Sequence, residues 1–126
     1  MRSTYKLAIA LAAAAAIGGA AIQGLHAQAK PLAYVITEVT ITDEAAFKEF
    51  AAKTDATIAP FGGKRLVRGG KVVALDGEAP KRVIVVVYDS MEKAQAQRDS
   101  AAWKALLPMR NKATKTREYM VEGVAN

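Results

Sequence analysis

Cysteine is absent from this chain, and histidine occurs once, as His26. Without cysteine there are no disulfides, no thiolate zinc sites and no thiol nucleophiles. His26 falls in an amino-terminal segment with the marks of a leader, so the rest of the chain holds no imidazole. That removes Ser-His-Asp and Cys-His catalysis and histidine-ligated haem. A phosphate-binding loop is missing as well. Lys71 follows Gly69-Gly70 but precedes Val72 rather than Ser or Thr, and the upstream glycine spacing is wrong. No G-x-G-x-x-G occurs, no two carboxylates are marked as a pair, and no repeat or low-complexity tract lies outside the leader. With neither His nor Cys, no metal site or cofactor is expected.

A membrane span is lacking too. Leu7–Ile22 is mostly Ala, Leu and Ile, short of the ~20 strongly apolar residues that cross a bilayer. Arg2 and Lys6 precede this run, and Ala27-Gln28-Ala29 places small residues where a signal peptidase inspects the chain. The order predicts a secretory signal peptide over residues 1–29, cleaved after Ala29 or after Ala27. There is no twin arginine, which points to general secretion, and no cysteine for a lipid anchor. The expected location is periplasmic or secreted, with no stable membrane anchor after cleavage.

What remains, Lys30–Asn126, is 97 residues long. That is one small domain, of a size for which oligomerisation commonly supplements the core. It carries sixteen basic and twelve acidic residues, a net of +4. So mild an excess in an exported protein argues against a nucleic-acid partner. Organic anions, phosphate groups or an acidic envelope surface suit it better.

The hydropathy pattern is that of an α+β domain. Lys30–Ile41 reads as a strand, with Ala33, Val35, Thr37, Val39 and Ile41 on one face. Thr42 or Asp43 then caps a helix whose stripe is Phe47, Phe50, Ala51, Thr54 and Ile58. Pro60 and Gly62-Gly63 end it. Lys64–Arg68 is a second strand. Gly69-Gly70 reads either as a hairpin turn into a further strand, Lys71–Leu75, or as a bulge within one longer strand. Arg82–Tyr88 is the strongest strand. Asp89 and Glu92 have the spacing of a capping box for the next helix. Ser100 caps a turn holding Trp103, Leu106 and Leu107, and Pro108 suits the first position of a last helical segment. Arg117–Gly123 closes as a strand. The order β-α-β-(β)-β-α-β is a ferredoxin-like split βαβ with an antiparallel sheet. Arg82–Tyr88 is apolar on both faces, whereas helices in so small a domain cover one. A second copy of the protein would cover the other, so a homodimer is expected.

Several segments carry a family resemblance. They are Ala33-Tyr34-Val35-Ile36 with Glu38-Val39-Thr40, Thr42-Asp43, Ala46-Phe47, and above all Pro60-Phe61-Gly62-Gly63-Lys64 with Leu66-Val67-Arg68-Gly69-Gly70. Ser90-Met91-Glu92, Asp99-Ser100, Leu107-Pro108, Arg110 and Val121-Glu122-Gly123 continue it. These residues resemble the bacterial family known as domain of unknown function 1330, over essentially all of Lys30–Asn126. The resemblance implies the dimeric α/β-barrel superfamily, in which two ferredoxin-like sheets pack face to face. That superfamily holds cofactor-free monooxygenases, muconolactone isomerase-like enzymes and haem enzymes, so the fold transfers and the chemistry does not. There are two departures from the family pattern. Gln97-Arg98 stand where a Trp-Tyr pair is usual, and Arg65 where Tyr or Phe is usual, which implies a more polar and cationic pocket.

Among single residues, Arg68 beside Gly69 and Gly70 has the chemistry to hold a carboxylate or phosphate. Its alternative is a structural ion pair with Glu38, Asp99 or another acid. Arg110 converges on the same cleft or pairs with Asp99. Lys64 adds a further cation, and Trp103, the only tryptophan, forms an apolar wall or plain core. Tyr34, Tyr88 and Tyr119 lie on strands, where a phenol is a proton donor or a packing group. General acid–base work would fall to Asp55, Glu38, Asp99, a tyrosine or a lysine. Lys104, Arg110, Lys112, Lys115 and Arg117 read as a solvated face. Three functions fit: a binder of a small organic anion between helices and sheet, a cofactor-independent oxygenase or isomerase, and a non-catalytic accessory or envelope-stress protein.

Overall fold

The computed structural model describes residues 30–125; the signal peptide expected over 1–29 lies outside them. Pro31–Ala125 folds as one unit. Its elements are β1 (Ala33–Ile41), α1 (Glu44–Ile58), a 3-10 turn (Ala59–Phe61), β2 (Lys64–Arg68), β3 (Arg82–Tyr88), α2 (Met91–Asp99), α3 (Ala101–Ala113) and β4 (Thr114–Glu122). The strands form one antiparallel sheet in the order β2-β3-β1-β4. The architecture is α+β with the split βαβ topology that the sequence pattern predicts.

Alternation along β1 makes the two faces. Ala33, Val35, Thr37 and Val39 are buried, while Tyr34, Ile36 and Glu38 are partly exposed. The buried face meets Phe47, Phe50 and Ile58 of α1. Two apolar clusters result. One holds Ala33, Val35, Ile58, Val86, Tyr88 and Ala94; the other holds Val39, Phe47, Phe50, Trp103 and Ala113. Asp43 is the cap of α1, accepting from the Ala46 amide at 3.1 Å. The Thr42 and Asp43 amides both donate to the Ala113 carbonyl, which ties the start of α1 to the end of α3.

Five local expectations are corrected. The cap of α2 is Ser90, whose hydroxyl accepts from the Lys93 amide, not Asp89. Position three of that helix is Lys93, so no capping box closes. α3 runs unbroken through Pro108, which lies on its exposed side. The missing N–H costs one hydrogen bond, and the Ser100 cap upstream starts the helix without it. Lys71–Leu75 is not a strand: Val73 is 66 % and Leu75 97 % exposed, and the segment pairs with nothing in the sheet. Intrinsic β-propensity does not form a strand without a packed partner. The bulge lies at Leu66, between Arg65 and Val67, and not at the glycine pair. β4 starts at Thr114, directly after α3, earlier than its apolar residues indicate.

Candidate functional site

The helices do not fill the whole of the sheet face they cover. A cleft of about 120 Å³ remains between the sheet and α1, α2 and α3. Its apolar walls come from both core clusters, with Phe47, Phe50 and Trp103 on one side and Ile58, Val86 and Tyr88 on the other. On β1, Thr37 separates Val35 from Val39 on the buried face, so the two apolar clusters are parted by a polar seam.

That seam is cationic. Arg65 and Arg68 of β2, Arg82 of β3, Arg98 of α2 and Arg110 of α3 all line the cleft, and Glu118 of β4 is the acid among the lining residues. Glu118 is held by three donors. Its Oε2 accepts from the Thr37 hydroxyl at 2.6 Å and from Arg98 Nη2 at 2.9 Å, and its Oε1 accepts from Arg110 Nη1 at 3.2 Å. The Arg98 guanidinium carbon lies 4.0 Å from the Trp103 ring centroid, and that of Arg110 lies 5.8 Å away. Arg82 stands over Phe47 at 5.2 Å. Burial pulls Arg98 below the ordinary guanidinium value, against the attraction of Glu118. Burial also pushes the Tyr88 phenol up, so it stays protonated at neutral pH.

Three buried polar atoms of this site have no hydrogen-bond partner among the described residues: Arg82 Nε, Arg98 Nη1 and Gln97 Oε1. Natural proteins satisfy nearly all such groups, and an unmet one costs about 1–3 kcal/mol. Their concentration around one cleft marks it off from the remainder of the core.

The rim is built differently. Asp55 of α1 accepts from Arg65 Nε at 2.6 Å and from Arg68 Nη2 at 3.2 Å. The Arg65 hydrogen bond, above all, holds the Asp55 carboxyl below the ordinary aspartate range. Two glycines shape the approach. A side chain at Gly63 would run into Ile58 and the Tyr88 ring. Gly69 has φ +66°, and a side chain there would occupy the space of the Arg82 guanidinium. Its amide donates to the Val83 carbonyl. The glycine therefore makes room for Arg82 to pass beneath the chain.

Of the residues singled out in the sequence, Arg68, Arg110 and Trp103 meet at the cleft. Lys64, Gly69 and Gly70 do not line it; Gly69 borders a separate surface recess with Lys81 and Arg82. Arg68 does pair with an acid, but the acid is Asp55 rather than Glu38 or Asp99. Arg110 pairs with Glu118 rather than Asp99, and so leaves the solvated face assigned to it. Sequence reasoning passes over Arg82 and Glu118. Each sits on the helix-side register of its strand, Arg82 in step with Ile84, Val86 and Tyr88, and Glu118 in step with Met120. A charged residue in phase with a buried face is the signal that could have found them. Among the described residues no group of acids or histidines is arranged to hold a metal ion, and no helix is long and apolar enough to cross a membrane.

A family model, Domain of unknown function (DUF1330), matches residues 32–124. The chain belongs to the DUF1330 family. No curated protein matches this DUF1330 chain by sequence. Solved structures share its fold. A protein of unknown function from Rhodopseudomonas palustris superposes with a TM-score of 0.64 at 14 % identity, covering 75 % of this chain and 84 % of its own. The cofactor-independent oxygenase SnoaB from Streptomyces nogalater gives a TM-score of 0.53 at 14 % identity, covering 78 % and 97 %. A conserved protein of unknown function from Bacteroides thetaiotaomicron gives 0.50 at 10 % identity, covering 75 % and 99 %. At these identities the likeness concerns the fold of the DUF1330 domain and not its chemistry.

Proposed function

We propose that this DUF1330 protein is an exported homodimer whose helix–sheet cleft binds a small organic anion. One observation carries the binding reading. Five arginines line an apolar-walled cleft against a single lining acid, and two of them, Arg82 and Arg98, keep a buried N–H without an acceptor. A carboxylate entering the cleft would supply that acceptor in surroundings where charge-assisted hydrogen bonds are strong. The apolar walls would take the body of the ligand. Export rests on the leader pattern of residues 1–29, and the dimer on the apolar outer face of the sheet.

The test is thermal stabilisation by benzoate and phenylacetate, set against uncharged benzyl alcohol. A ligand at a hundred times its Kd stabilises by about 2.7 kcal/mol through mass action. Both acids are expected to raise the melting temperature of the parent and to lose most of that effect in Arg98→Met. Failure of every carboxylate, hydroxy acids included, to stabilise the parent, or equal stabilisation by the alcohol, overturns the reading.

A second reading, a cofactor-independent oxygenase, is favoured by the shared fold with SnoaB and by a cationic cleft suited to an enolate or phenolate. It ranks second because the proton-abstracting group is not evident. The Glu118 oxygens already accept three hydrogen bonds, and Asp55 is engaged by two arginines at the rim. Oxygen consumption in the presence of a bound phenol would promote it.

A further inference from the structure

The unpartnered groups in the cleft are not all donors. Gln97 is 1 % exposed, and its Oε1 is a buried acceptor without a protein donor. The orientation of this amide follows from its neighbours. The Thr57 hydroxyl gives its proton to the Thr54 carbonyl at 2.7 Å, so toward Gln97 it can only accept. Gln97 Nε2 donates to that oxygen at 3.2 Å. Turning the amide over would set two acceptors against each other and leave the amide nitrogen without its acceptor. The carbonyl end is therefore the free end, and what it lacks is a donor.

The next residue along α2 makes the opposite demand. Arg98 Nη1 is a buried donor without an acceptor, while its Nη2 is engaged by Glu118. Both side chains line the same cleft. A plain carboxylate or phosphate answers Arg98 and leaves Gln97 unmet. A neutral alcohol answers Gln97 and leaves the guanidinium N–H groups unmet. The cleft volume, about 120 Å³, is close to the ~150 Å³ of an apolar cavity that holds benzene.

We infer that the cleft selects a hydroxy acid of about one ring in size: a molecule that presents an anionic oxygen to Arg98 and a hydroxyl proton to Gln97 Oε1. This rests on the anion-binding reading above and adds the second polar group. A site built to pair a hydroxyl rejects the analogue without it, because its own buried group is then left bare.

The experiment titrates the purified protein with matched acids and reads Trp103 fluorescence, the indole being in contact with Arg98. The pairs are mandelate with phenylacetate, and the 2-, 3- and 4-hydroxybenzoates with benzoate. The expected result is that at least one hydroxy acid binds about tenfold more tightly than its deoxy partner, the effect of meeting one buried polar group. Gln97→Leu is expected to bring that pair to parity while the deoxy acid keeps its affinity. α-Methoxyphenylacetate, which retains the oxygen but has no proton to give, tests the donor role of mandelate in the unmutated protein and needs no variant to fold. Equal affinities within every pair, or, where mandelate is the preferred acid, a methoxy acid as tight as mandelate, overturn this inference and leave anion binding intact. Absence of binding by any acid overturns both.

Discussion

Arg65, Arg68 and Asp55 show what single side chains contribute at the rim. The Arg65 side chain is 12 % exposed and that of Asp55 is 55 % exposed, so the pair is half in water and its worth is correspondingly modest. Because the Asp55 carboxyl is held below its ordinary range by Arg65, the folded state favours the charged form. Its contribution is complete above the ordinary aspartate pKa and is lost as the pH falls through the lower folded value. Asp55→Asn is therefore expected to lower stability by less than about 1 kcal/mol at neutral pH. Its melting temperature should converge with that of the parent on acidification below the aspartate range. A constant gap across that range would show that the carboxylate charge plays no part. Arg98 and Arg110 are in a different position: both are anchored by Glu118 and stand over Trp103, so their placement is set by packing as much as by charge.

At the level of elements, the joint between α2 and α3 governs the site. Ser100 makes it, with its backbone amide donating to the Gln97 carbonyl at 3.2 Å and its hydroxyl bonding on both sides. Ser100 Oγ donates to the Gln97 carbonyl at 2.6 Å, closing α2, and accepts from the Trp103 amide at 3.3 Å, opening α3. Gln97 and Arg98 stand just before this joint and Trp103 just after it, so the cap fixes the angle between three cleft residues. Ser100→Ala is expected to cost about 1 kcal/mol in urea denaturation, the usual worth of an N-cap. It should also move the Trp103 emission toward that of a more hydrated indole. Ser100→Asp, which keeps the acceptor, should recover most of the stability. Unchanged emission in Ser100→Ala would mean that packing alone orients the indole. The Gly69–Lys81 connection illustrates the reverse case, in which a β-rich sequence gains no structure because no strand lies beside it.

Taken as a whole, the described residues leave one face of the sheet without a covering helix. Val67, Val85, Ile36 and Tyr119 stand in register across β2, β3, β1 and β4, and Val87, Tyr34 and Val121 form a parallel row. Val67, Tyr119 and Val121 are 37 %, 41 % and 46 % exposed. A contiguous apolar surface of this kind supports the proposed homodimer, because a second copy presents a matching surface through a two-fold axis. Val85 lies near the centre of the first row. Val85→Asp is expected to convert a dimer into a monomer at micromolar concentration, as read by light scattering, because an unpaired carboxylate would otherwise be buried. A monomeric parent under the same conditions would remove the homodimer from the proposed function.

How much could be read in advance depends on how far apart the interacting residues lie. The alternation in Ala33–Ile41, the apolar run Arg82–Tyr88, the stripe from Phe47 to Ile58 and the stop at Gly62-Gly63 are local patterns. Each reports a backbone periodicity of 2 or about 3.6 residues, so strands, helices and their order follow from them directly. Ends were less legible: Asp89 and Ser90 offer competing caps, and Pro108 has two acceptable places in a helix. Gln97, Arg98 and Arg65 stood out only as departures from a family pattern. The cleft itself has no local signature. Arg82, Arg98, Arg110 and Glu118 come from β3, α2, α3 and β4, and their meeting depends on the strand order and on how α2 turns into α3 at Ser100. Which arginines find an acid, and which polar atoms are left over, is settled when those elements pack, because burial strips each group of water and leaves it only the partners the fold brings within reach.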